Sequence, residues 1–382
     1  MRRRTLAWHL WRPFRFLQST DWVLALVVVL IAGCGLAVQW SIEGISRFPE
    51  GHVIRLAAAG IAAIFAAAYG ARRWQDSAWF FYGTSLALLI LVLLVGRATN
   101  NANRWLDLVG GFKLQPSELM KLGLMLALAR WFSEKRKAPQ SMGELWVPGL
   151  MTAVPAALVL LQPDLGTALT FGPVFLGMSW IAGAPWRLLK WFLLVPLALF
   201  PLALFAVHDY QLERIDIWWN QDSLSQEQKN DAGYHLWHSK LAIGSGGMHG
   251  AGWGQGPENR LDRLPERHND FIFPVIAEEW GFWGATTFLG LYALLALSAF
   301  AAARRYRDPF TRFVVAGVGM HFAVHLCLNV GVTLGVFPTT GLPLPMVSFG
   351  GTSMLVGGLA IGLALAVGAS KAPVFSNRAF ED

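Results

Sequence analysis

The sequence predicts an all-α, polytopic integral membrane protein, and three observations carry that prediction. Hydrophobic residues make up 54% of the 382 and charged residues only 14%, well below the roughly 25% charged residues of soluble domains. Mean hydropathy is +0.43, and apolar runs of about 17–25 residues, the length that crosses a bilayer as a helix, recur along almost the whole chain. The basic residues fall mainly in short connections between those runs, as the positive-inside rule expects. The net charge of +7 therefore reads as membrane topology and argues against a nucleic-acid partner.

The elements follow in order. Residues 1–21 form a basic, cytoplasmic tail, MRRRTLAWHLWRPFRF and its continuation. No small-residue cleavage site follows the first apolar run, so that run reads as an uncleaved span. Ten spans are expected near residues 22–38, 53–69, 79–95, 117–132, 146–161, 167–182, 188–207, 271–302, 313–336 and 348–368, with a cytoplasmic tail over 369–382. They make one domain over 1–382 with both termini inside. The long insertion, 208–270, falls on the outer face. Connections beyond about 12–15 residues are usually functional or disordered, and YHLWHSKLAIG within this one predicts a short helix at the interface. Cys34 and Cys327 lie inside spans and read as small apolar residues, neither a disulfide nor a metal pair. Many of the 18 tryptophans lie near span ends, where aromatic belts form.

One stretch stands out chemically. LPERHNDFIF places Glu266, Arg267, His268, Asn269 and Asp270 directly before an apolar run that itself contains Glu278 and Glu279. A carboxylate at the mouth of a membrane helix costs free energy unless it is paired, hydrated or used. Further along the chain, Pro116 and Ser117 signal a helix start, and Glu118 and Lys121 then share one helical face. They read either as an internal ion pair or as the lining of a polar cavity. Arg104 is a topological anchor or a phosphate contact, since a guanidinium suits bidentate phosphate binding. Asp164, after Pro163, has the position of a turn residue. The segment GSGGMHGAGWGQG lacks Walker spacing and a preceding strand, so flexible backbone near the membrane surface is the better reading. His321 and His325 have metal-ligand spacing but no carboxylate or cysteine beside them in that helix, which favours a packed or hydrogen-bonded pair. The segment FPTTGLPLPMVSFGGTSML predicts a broken helix start, with Ser348 or Ser353 bonded to nearby backbone.

Taken together, NRWLDL, QPSELMK, QPDLGTAL, HDYQLER, AGYHLWHSKLAIGSGG, LPERHNDFIF and TGLPLPMVSFGGTS resemble, in order and across essentially the whole chain, the SEDS family of shape, elongation, division and sporulation proteins. Arg267 in PERH favours its elongation (RodA) branch over the division (FtsW) branch, where Ala is typical. The resemblance implies a ten-helix fold in the bacterial inner membrane and a peptidoglycan glycosyltransferase that polymerises lipid II on the periplasmic side during elongation and rod-shape maintenance. It also implies a class B penicillin-binding protein, a transpeptidase, as partner, beside other elongation-complex membrane proteins. The family's essential acidic residue falls on Asp270, and its paired Glu and Lys on Glu118 and Lys121. Asn103, His238 and Asn269 depart from the family's usual residues.

On this basis Asp270 is the expected general base. Glu118, Lys121, Arg267 and Glu266 are the expected supporting polar groups. Arg104, Lys240, Ser348, Lys121 and Arg267 are candidates for the substrate pyrophosphate. A divalent cation, Mg²⁺ or Mn²⁺, is left open as cofactor. The rival class is a lipid flippase or transporter, which ten spans with prolines inside them would also suit.

Overall fold

The computed structural model describes residues 21–95, 97–99, 102–107, 113–135, 137–203 and 209–366. Residues 1–20 of the basic tail expected over 1–21, the tail over 369–382, and residues 101, 136 and 208 lie outside the described residues.

The first three helices are α1 (Trp22–Glu43), α2 (Glu50–Tyr69) and α3 (Ala71–Val95). Three short antiparallel strands follow in the order β1-β2-β3: β1 (Arg97–Thr99), β2 (Ala102–Asp107) and β3 (Lys113–Leu114). Next come α4 (Pro116–Glu134), α5 (Met142–Leu160), α6 (Leu165–Ile181) and α7 (Trp186–Ala203). The long insertion folds into α8 (Asp209–Trp219), α9 (Gln226–Asn230), α10 (Tyr234–Ser245) and α11 (Pro257–Arg260). The chain then returns through α12 (Ile272–Arg305), α13 (Pro309–Thr333) and α14 (Gly351–Ala366). Each expected span overlaps one of these helices, with 204–207 and 367–368 outside the described residues, and the helix expected at YHLWHSKLAIG is α10. Among the described residues, α1, α2, α3, α5, α12 and α13 are the six helices long and apolar enough to cross a membrane. The other four are shorter or more charged. The small sheet was not anticipated; the sequence suggested only a connection there.

Burial sorts the helices by what surrounds them. Along α4, residues from Pro116 to Ala129 are buried with one exception, Leu119, so this helix runs through the centre of the bundle. By contrast α1, α2, α3 and α5 leave large apolar side chains exposed, among them Leu26, Ile61, Ile64, Phe80, Leu94 and Trp146. An apolar surface of that extent requires a hydrocarbon solvent. Helices α2 and α14 approach closely, because a Cβ on Gly358 or Gly362 would sit 2.2 Å from the carbonyl oxygens of Ala59 or Ala63. Small residues allow such contact where lipid offers no hydrophobic driving force.

The glycine-rich segment has a different role from the flexible surface backbone expected of it. Helix α12 breaks at Gly281, which has φ 65°. The carbonyls of Glu278 and Glu279 accept from the N–H groups of Ala251 (2.9 Å) and Gly252 (3.0 Å), and Phe282 N–H donates to Gly247 O at 2.8 Å. The segment thus replaces the helical hydrogen bonds lost at the kink, as backbone at membrane depth requires. A Cβ on Gly250 would stand 2.1 Å from Glu279 O, so only glycine lets the two backbones meet. The side chain of Glu278 is used here too, accepting from the N–H groups of Glu258 (2.7 Å) and Asn259 (3.2 Å).

Candidate functional site

Four connections, α3–α4, α5–α6, α7–α12 and α13–α14, converge at one end of the bundle and enclose a cavity of about 310 Å³. Its walls carry Asp164, Glu266 and Asp270 together with Arg104 and Arg214, and Thr340 and Gly341 close one side. Alternate connections of an up-and-down helical bundle meet at the same end, which is how residues more than 100 positions apart come together.

Asp270 stands directly before α12. Its main-chain oxygen accepts from Asn329 Nδ2 at 2.9 Å. Gly341, at φ +69°, brings its backbone so near that a Cβ there would lie 3.3 Å from Asp270 Oδ2. The carboxyl of Asp270 is pushed up to about 7, first by loss of solvation and then by the charges of Glu266 and Asp164, against the opposing pull of Arg214 and Arg104. Glu266 sits in the same wall and accepts from Asn269 Nδ2 at 3.0 Å.

Arg104, on β2, donates through Nε to Gln162 O at 3.1 Å and through Nη2 to Pro163 O. It therefore ties the sheet to the α5–α6 turn while lining the cavity. Asp164 does turn chemistry as expected, accepting from Thr167 N–H at 3.1 Å to cap α6. Its second oxygen accepts from Gln115 Nε2 at 3.1 Å on the cavity wall, so it is also part of the site.

Other expected members lie elsewhere. Glu118 and Lys121 do not line the cavity. They form an internal ion pair of 2.7 Å between side chains 2% and 3% exposed, and Lys121 Nζ also lies 2.9 Å from His325 Nε2. Nδ1–H of His325 donates to His321 O at 2.9 Å, which leaves Nε2 to accept from the ammonium. The histidine pair is thus hydrogen-bonded, as favoured. Arg267 turns away from the cavity, pairing with Asp262 at 2.5 Å and donating to Asn259. It borders a separate cleft beside the α1–α2 connection. Lys240 Nζ donates to Gln221 Oε1 at 2.7 Å, outside the cavity. Ser348 donates to Asn269 O at 2.5 Å and accepts from Leu344 N–H, so it braces backbone and does not face the cavity. Adjacency to a motif does not fix side-chain direction, which is why these three were misplaced. Arg214, on α8, was missed as a cavity residue; the only signal was a cation on a short helix in the long insertion.

Fold and site together define a multi-pass helical membrane protein with an acidic, arginine-flanked cavity at one end of its bundle. The chain belongs to the FtsW/RodA/SpoVE family of cell cycle proteins, which it matches over residues 16–372. It is 33% identical to the peptidoglycan glycosyltransferase MrdB of Escherichia coli K12, over 88% of this chain and 90% of that one. It is 37% identical to a probable peptidoglycan glycosyltransferase FtsW of Thiomicrospira cyclica, over 92% of each. Among solved structures it is similar to a chain of a peptidoglycan synthase complex that coordinates polymerization and crosslinking. That match has a TM-score of 0.75 and 32% identity, covering 92% of this chain and 99% of the other. The rod shape determining protein RodA of Thermus thermophilus matches at TM-score 0.68 and 32% identity, covering 91% and 96%.

Proposed function

We propose that this chain is a peptidoglycan glycosyltransferase of the inner membrane, polymerising lipid II into glycan strands at a periplasmic cavity, with Asp270 as general base. Ten membrane crossings with both termini cytoplasmic are part of this reading. The observation that carries it is a cavity in which Asp270 stands beside Asp164 and Glu266 with two arginines, Arg104 and Arg214; loss of solvation and the neighbouring carboxylates push its carboxyl up to about 7. Relatives named as peptidoglycan glycosyltransferases, matched over nearly their full length, support the same chemistry.

Lipid II is an α-linked disaccharide diphosphate on a polyprenyl chain, and the glycan product is β-linked, so a single in-line displacement fits. The acceptor's 4-hydroxyl oxygen attacks the donor anomeric carbon. Asp270 takes the hydroxyl proton as the bond to diphosphate breaks and the electron pair leaves with the diphosphate. Arg104 and Arg214 neutralise that leaving group; its charge needs cations more than it needs a proton. Among the described residues no group of three or more His, Cys, Asp or Glu is placed to hold a metal ion. No step above depends on a divalent cation.

A class B penicillin-binding protein is the proposed partner, supported by the synthase complex among the structural relatives. Elongation is the proposed cellular role, resting on Arg267 in PERH; relatives of the division type keep the FtsW-like role as the second reading. The deciding experiment is polymerisation of purified lipid II in detergent by the chain with its partner. Glycan made by the native chain and not by Asp270→Asn supports the proposal. Near-normal glycan from Asp270→Asn overturns the base assignment. No glycan from either, with lipid translocation in vesicles, supports a flippase instead.

A further inference from the structure

Three consecutive carbonyls leading into and including Asp270 are each held by a side chain from elsewhere in the chain. Gln39 of α1 donates through Nε2 to His268 O at 2.8 Å, Ser348 donates to Asn269 O at 2.5 Å, and Asn329 of α13 donates to Asp270 O at 2.9 Å. The same three side chains also grip the turn before α14. Gln39 reaches Val347 O at 3.2 Å, Asn329 reaches Leu342 O at 2.7 Å, and Ser348 accepts from Leu344 N–H at 2.8 Å. All three are 2% exposed or less. They lace the Asp270 segment to the turn that begins at Gly341, where an added Cβ would lie 3.3 Å from the carboxylate.

Asn329 alone of the three bonds the residue that carries the carboxylate. It lies one turn beyond His325, so the two side chains leave α13 on the same face. One turn down, His325 accepts from Lys121, and Lys121 is held by Glu118. Helix α4 thereby grips α13 just below the point from which Asn329 reaches out.

We infer that Asn329 is a positioning residue: it sets the main chain of Asp270 against the Gly341 turn, and the Glu118–Lys121–His325 contact fixes the face of α13 from which it does so. The inference rests on Asp270 as the base. Displacing a reacting group by about 1 Å can cost about 10²-fold in rate, so a base held through its own carbonyl is sensitive to that one amide.

The test uses the full chain with its transpeptidase partner, fluorescent lipid II in detergent, and rates taken across pH. Asn329→Ala, Asn329→Asp and Asp270→Asn are compared, with thermal melting and partner co-purification as checks on folding. Asn329→Ala is expected to lower kcat about 10²-fold with KM little changed. The ascending limb of its pH profile moves to lower pH, because a carboxyl released from its wall regains water. Asn329→Asp keeps the size of the side chain but turns an acceptor toward two carbonyl oxygens, so it loses as much as Ala; it also decides the matter where Ala fails to fold. His325→Ala gives a smaller loss of the same kind, in kcat and not in KM. Near-native kcat in Asn329→Asp overturns the inference, as does a loss that appears in KM with the pH limb unmoved. Should Asp270→Asn retain polymerisation, the base assignment fails instead, whatever the Asn329 variants do.

Discussion

Two clusters in this bundle are made of the same materials and behave in opposite ways. Glu118 and Lys121 sit in the interior with a 2.7 Å contact and His325 as a third partner, and their charges cancel where they stand. In the cavity, three carboxylates, Asp164, Glu266 and Asp270, face two arginines, and Asp270 is left with its carboxyl pushed up to about 7. Compensation within contact distance makes a structural clasp. A carboxylate that has lost water without gaining an equal partner titrates near neutrality, where a general base works best.

The largest effects break one cluster at a time. Asp270→Asn is expected to cut polymerisation by about 10²–10⁴-fold, and the same variant should melt higher than the native protein above pH 7. The sign follows from linkage. Asp270 ionises more easily unfolded, near its ordinary 3.8, than folded, near 7. Its charge therefore lowers stability progressively as pH rises between those values. Asn removes that penalty, so the gain in melting temperature is largest above pH 7 and vanishes toward pH 4. No gain at alkaline pH would mean that the carboxylate is not destabilising. In the other cluster, Glu118→Gln or Lys121→Met leaves one buried charge alone and should cost about 3–5 kcal/mol. The paired change Glu118→Leu/Lys121→Met should recover most of it, as read by denaturation in detergent. A double variant as weak as the singles would show that the pair contributes more than mutual neutralisation.

Arg214→Gln comes next. A hydrogen bond to a charged group is worth about 1.5–3 kcal/mol, so loss of a diphosphate contact should lower kcat/KM by about ten- to a hundredfold. Inhibition by a polyprenyl diphosphate without sugar should weaken in step. Arg214 also donates to Thr339 O at 3.0 Å, so a melting curve separates this effect from loosened packing.

Much of this contrast was legible in the sequence. The helices followed from long apolar runs, and Asp270 from a polar group set directly before one. The ion pair followed from i, i+3 spacing on α4. What the sequence hid is what depends on direction and on distant contacts. Nothing near Arg267 or Lys240 indicates that each turns from the cavity toward Asp262 or Gln221. Asn329 sits in an apolar helix more than 50 positions from the carbonyl it holds, with no local pattern to pair them. The kink at Gly281 becomes intelligible only with the glycine-rich segment laid along it, since each supplies the hydrogen bonds that the other lacks.

The smallest predicted effect compares the clusters most directly. Glu266 raises the carboxyl of Asp270 by charge alone, second to loss of solvation. Glu266→Gln removes the charge but keeps an oxygen able to accept from Asn269 Nδ2, the contact that holds this residue in the wall. The ascending limb of kcat/KM against pH should therefore move to lower pH by a fraction of a unit, with the rate above the limb little changed. The equivalent substitution Glu118→Gln removes a carboxylate already neutralised at 2.7 Å by Lys121, outside the cavity. Whatever it costs in stability, it should leave the limb in place. If both substitutions moved the limb equally, the two clusters would form one electrostatic unit, and the division between a clasp and a reacting site would fail.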